Sequence, residues 1–70
     1  MEIEKVIINT EFIKLDQFLK WAGINPTGSD AKAMIQEGKV KVNGEQETRR
    51  GRKLRKSDIV EVNGRIFEIV

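Results

Sequence analysis

Positions 49–56 read Arg-Arg-Gly-Arg-Lys-Leu-Arg-Lys, six basic residues with no acidic one among them. The other positions hold seven basic and eleven acidic residues, so a mildly acidic body carries one concentrated positive segment. Like charges at this density repel one another, and phosphates that displace their counterions relieve that cost. Arginine adds a planar fork that takes a phosphate through two parallel N–H bonds, which lysine cannot do. Arg49, Arg50, Arg52, Lys53, Arg55 and Lys56 are therefore candidates for binding a polyanion. The plainer alternative is a solvated loop whose charges serve solubility. Lys14, Lys32, Lys39 and Lys41 are weaker candidates one by one and stronger as a set. Backbone amides around Gly28 and Ser29, at the start of an expected helix, offer a further anion site. Asp30 opposes it by repelling phosphate and by helping Thr27 to satisfy those amides.

Other chemistries have little to work with. The chain has no histidine and no cysteine, which removes the usual general base, the commonest metal ligand, thiolate sites and disulfides. No paired carboxylates suggest acid–base catalysis, so an enzyme is not expected, nor a metal or cofactor. The ending Glu68-Ile69-Val70 lacks the terminal Gly-Gly of a sulfur carrier. No long apolar run marks a signal peptide or a membrane span, and a cytoplasmic protein is expected. Trp21, the one tryptophan, sits beside Lys14 at i+7 on a helical wheel. A base could stack on it, but covering the edge of the core is the commoner role for such a residue. Asp16, with no partner base, is expected to support a helix end or to pair with an arginine.

These groups need a scaffold, and the stretch from Thr27 to Gly44 supplies its centre. Thr27 is a good N-cap, and Asp30, three residues on, can reach back as in a capping box. Ala31, Met34 and Ile35 make one apolar helical face, while Ser29, Lys32 and Gln36 lie on another. Gly38 ends the helix. Lys39-Val40-Lys41-Val42 alternates, with valines inward and lysines outward, and Asn43-Gly44 is a strong hairpin signal. This compact unit brings Lys32, Lys39 and Lys41 near one helix-to-strand corner.

The flanks extend the pattern. A β-branched segment over residues 2–8 predicts a strand. Phe12, Leu15, Phe18, Leu19 and Ala22 follow helical spacing, with a start at Thr10 or near Lys14, and Gly23 and Pro26 end that helix. Phe12, Phe18 and Phe67 are expected in the core. A polar strand over residues 45–48 precedes the basic loop, which Leu54 anchors. A turn at Lys56-Ser57-Asp58 leads to a second hairpin, residues 59–62 and 65–70 around Asn63-Gly64, with the first strand joining it. The expectation is α+β: two short packed helices on a small, mostly antiparallel sheet, one domain over residues 1–70. A chain this short buries only about 60% of its unfolded surface.

Taken in order, Lys14-Leu15-Asp16, Phe18-Leu19, Thr27-x-Ser29-x-Ala31-Lys32-x-Met34-Ile35, Gly38-x-Val40-x-Val42-Asn43-Gly44 and Asp58-x-Val60 resemble the RNA-binding domain named after ribosomal small-subunit protein S-four. The resemblance runs from about Lys14 to Val62. It departs at Thr27-Gly28, where the family usually opens the second helix with Ser-Arg, and at Ser57, where the family has glycine. The stand-alone bacterial branch of the YaaA and YbcJ type is more similar, in length, in Gly28, and in a signature like Arg49-Arg50-Gly51-Arg52-Lys53-Leu54. This resemblance implies an L-shaped α+β fold (the alpha-L motif). It also implies a free-standing, non-catalytic binder of structured RNA, with ribosomal RNA and large-subunit assembly the first place to look. The expected protein is a monomer that reads shape and phosphates, since few groups suit base reading. If about five phosphates are neutralised, log K falls against log salt with a slope of roughly −3.5 to −4.5. The alternative is a protein-interaction adaptor docking its basic loop on an acidic partner. Duplex DNA is a further polyanion that charge alone admits.

Overall fold

Along the chain come strand β1 (Ile3–Val6), strand β2 (Ile13–Lys14), helices α1 (Leu15–Trp21) and α2 (Gly28–Gln36), and strands β3 (Val40–Val42), β4 (Glu45–Gln46), β5 (Lys53–Leu54), β6 (Ile59–Val62) and β7 (Arg65–Ile69). They are seen in a computed structural model that describes residues 2–70. The main sheet runs β1-β7-β6-β3-β4; β1 lies parallel to β7 and the other neighbours are antiparallel. A separate ladder joins β2 to β5. The architecture is the α+β arrangement that the sequence predicts.

Local chemistry explains both helices and both hairpins. Thr27 caps α2 by accepting from the Asp30 amide at 3.2 Å. The Asp30 carboxylate takes the Thr27 hydroxyl proton at 3.0 Å, so the expected reach-back to the Thr27 amide is replaced by a side-chain pair. Each helix ends in the same way. Behind α2, Gly38 adopts φ +77° while its amide donates to the Ile35 carbonyl and the Lys39 amide to that of Met34. Gly23 repeats this behind α1, with bonds to Lys20 and from Ile24 to Leu19. These paired bonds satisfy carbonyls that a helix end otherwise leaves bare. In both hairpins the Asn-Gly pair has positive φ at both positions, the geometry that matches the twist of adjacent strands.

The core lies between the helices and the inner sheet face. Leu15, Phe18 and Leu19 of α1 and Ala31 and Ile35 of α2 are fully buried, packed with Val40, Val60, Phe67 and Ile69. Phe18 meets Phe67 edge to face at 5.3 Å. Burying each large aliphatic or aromatic side chain is worth about 1.5–3 kcal/mol.

Some expectations change. The first helix takes the later of its two expected starts, at Leu15 behind the N-cap Lys14, which leaves Phe12 outside it and only half-buried, because Ile13 and Lys14 pair with β5. Trp21 does not cover the core edge; it is 64% exposed. The basic segment is not held by Leu54 alone, since Lys53 and Leu54 form a strand. The polar strand after the first hairpin stops at Gln46, and Glu47 turns inward to 7% exposure.

Candidate nucleic-acid interface

The basic loop is sewn to the start of α1. In the β2–β5 ladder, Ile13 stands opposite Leu54 and Lys14 opposite Lys53. The N-cap residue of α1, Lys14, makes no side-chain cap. Instead the Leu15 amide donates to the Arg52 carbonyl at 2.8 Å and the Asp16 amide to the Arg50 carbonyl at 3.1 Å. Loop carbonyls thus satisfy amides that a helix start leaves without partners. The loop backbone is consumed inward while its side chains fan outward.

Two inward carboxylates hold the base of that fan. Glu47 receives Arg49 through both Nε (3.0 Å) and a terminal nitrogen (3.2 Å), the Arg49 amide at 3.2 Å, and Arg52 at 2.9 Å. The Arg49 hydrogen bonds and charge, with the hydrogen bond from Arg52, outweigh the burial penalty and hold the Glu47 carboxyl down at about 2. Asp16 receives Arg50 Nε at 3.1 Å and the Gln17 amide at 2.8 Å. Asp16 therefore fills both roles expected of it. Among the described residues, Lys14, Lys53, Arg55 and Lys56 have no carboxylate partner. Placing Lys14 directly across from Lys53 costs stability, because like charges facing each other on paired strands repel. Phe12 moderates this crowding: its ring lies 4.8 Å from Lys53 Nζ and 5.9 Å from the Arg55 guanidinium, within range of cation–π attraction. Arg49, Arg52, Lys53, Arg55 and Lys56 line an open hollow of about 800 Å³.

The turn that follows the loop is tied to the first hairpin. Asp58 accepts from the Arg55 amide at 2.8 Å and from the Asn43 side-chain amide at 3.0 Å. Asn43 in turn accepts from the Ile59 amide at 2.9 Å. Asn43 and Asp58, distant in sequence, thus act as one bracket. Ser57, between loop and bracket, takes φ 81°, a conformation that suits glycine.

The elbow between α2 and β3 adjoins the loop without merging with it. The Glu47 amide donates to the Val40 carbonyl at 3.0 Å, and Gln46 donates to the Gly38 carbonyl at 2.8 Å. The root of the arginine fan is therefore one strand spacing from the elbow. Lys41, however, lies between Gln46 and Glu61 in register, and shares with Lys39 a separate hollow also lined by Glu61 and Arg65. Lys39 pairs with Glu37 at 3.2 Å. Lys32 and Ser29 are exposed on α2, and Gly28 is half-buried. No hydrogen bond or ion pair among the described residues links them to the loop. The structure brings Lys14 together with the basic loop and leaves Lys39 and Lys41 at a separate hollow by the elbow, with Lys32 and Ser29 exposed on α2. Sequence reasoning missed Glu47 and Phe12; a lone acid two residues before an arginine run was the available signal for Glu47.

The structure is a small α+β body whose first helix start is capped by an arginine-rich loop, and residues 6–70 match the S4 domain. The chain belongs to this S4 RNA-binding domain family. It is 48% identical over 59 residues to the probable ribosome maturation protein RlbA of Bacillus subtilis (strain 168), an alignment covering 84% of this chain and 83% of that relative. Among the described residues no helix is long and apolar enough to cross a membrane.

Proposed function

We propose that this protein is a non-catalytic binder of structured RNA, ribosomal RNA foremost, that acts in ribosome maturation. The loop cations Arg49, Arg50, Arg52, Lys53, Arg55 and Lys56, with Lys14, form the main phosphate contact. Lys32, Lys39, Lys41 and the amides at Gly28 and Ser29 form its flank. The observation that carries this reading is the pre-set fan: buried Glu47 and Asp16 orient three arginines while four further cations stay unpaired beside them. Charges already fixed in place lose less freedom on binding. The S4 family and the likeness to RlbA support the ribosomal setting.

The test is binding of a fluorescent ribosomal RNA hairpin across a salt series. Wild type gives a steep negative slope of log K against log salt. Replacing Lys53, Arg55 and Lys56 by alanine together makes that slope shallower by roughly 2 to 3, since each lost phosphate contact removes about 0.7–0.9. A flat response in wild type refutes the phosphate clamp. Sedimentation with ribosomal particles, abolished by nuclease, separates RNA binding from an adaptor role.

A further inference from the structure

Outside the basic loop, Trp21 and Ile7 stand 64% and 72% exposed. Together with Ile8 and Ile13 they line a hollow of about 300 Å³, whose polar wall is Asn9 and Thr10. Single exposed apolar residues are ordinary on a protein surface, whereas a contiguous set around a concavity marks a binding surface. Asn9 and Thr10 also wall the next hollow, which reaches Glu11, Arg55 and Lys56. Arg55 and Lys56 wall the basic hollow in their turn. Three hollows with shared walls therefore run in series from the basic loop, past Glu11, Asn9 and Thr10, to the exposed Trp21.

We propose that this series of hollows takes an unpaired single-stranded segment of the bound RNA, with phosphates at Arg55 and Lys56 and one base stacked on Trp21. The inference rests on the RNA-binding reading above and adds the kind of RNA and the residue that holds its base. Charge selects the occupant, because the cationic end fits a polyanion and the apolar end fits only its bases. Nucleobases stack on aromatic rings with little regard to sequence. The thin polar wall suits that mode. The Thr10 hydroxyl proton is committed to the Phe12 carbonyl at 2.8 Å. The Asn9 side chain makes no hydrogen bond among the described residues, so its amide is available to a base edge or a ribose.

The chain offers its own probe, since Trp21 is the one tryptophan and there is no tyrosine. Two RNAs are compared, one ribosomal hairpin with a blunt stem and the same hairpin with a ten-nucleotide single-stranded tail. Binding is followed by anisotropy of a dye on the RNA and, separately, by indole emission. The tailed RNA binds more tightly and quenches Trp21. Trp21→Ala removes that advantage, a loss of roughly 5- to 150-fold for one stacked base, while Trp21→Phe keeps most of it. Both variants keep the wild-type circular dichroism spectrum because the ring lies outside the core. Equal affinity for the two RNAs, or anisotropy binding with unchanged indole emission, overturns the stacking site and leaves RNA binding by the loop intact. Failure of both RNAs to bind overturns the two readings together. If Trp21→Ala keeps full affinity for tailed RNA but loses co-sedimentation with ribosomal particles, the surface contacts a protein and the proposal falls.

Discussion

Replacing Glu47 by glutamine removes one negative charge from beneath two guanidiniums and leaves the side-chain shape almost unchanged. In the folded protein this carboxyl titrates at about 2, against 4.5 when free. Each unit of that difference is worth 1.36 kcal/mol, or roughly 3 kcal/mol in all. Arg49, its main partner, is 75% exposed in its side chain, so solvent screening reduces the expected stabilisation to about 2 kcal/mol. The folded pKa is depressed, so the contribution is complete above the unfolded value and fades as pH falls toward the folded one. At pH 7, Glu47→Gln therefore melts about 8–16 °C below wild type, followed by far-ultraviolet circular dichroism. Below about pH 4.5 the gap narrows, and by about pH 3 it is less than half its neutral value. Other carboxylates titrate in both proteins and cancel from the difference. A gap that stays constant from pH 7 to pH 3 refutes the charge clamp and assigns Glu47 a role in packing alone.

Two further changes test how the backbone positions the loop. Ser57 holds φ 81°, where a serine is strained, so Ser57→Gly raises stability by about 1 kcal/mol, seen as a melting point about 4–8 °C higher. Gly38→Ala is destabilising by about 2 kcal/mol in urea unfolding, because φ is +77° there and the added Cβ runs into the Gln46 side chain that bonds the Gly38 carbonyl.

Features governed by chain neighbours were legible in the sequence. The Thr27 cap, the stops at Gly23 and Gly38, the inward Val40 and Val42, and both Asn-Gly turns follow from steric and hydrogen-bonding rules that act over a few residues. The six clustered cations likewise announced one concentrated positive surface, since their crowding is a property of the chain itself. Phe12 shows the limit of such reading. Its spacing from Leu15 and Phe18 imitates a helix, but pairing of Ile13 with Leu54, forty-one positions away, pulls the segment into a strand and leaves the ring under Lys53 and Arg55. The pairing of Asp16 with Arg50, the sharing of Glu47 between two arginines, and the exposure of Trp21 were settled the same way. Each depends on which distant segment occupies the neighbouring space, and a local pattern carries no term for that; tertiary packing alone decides which charges are neutralised and which face outward.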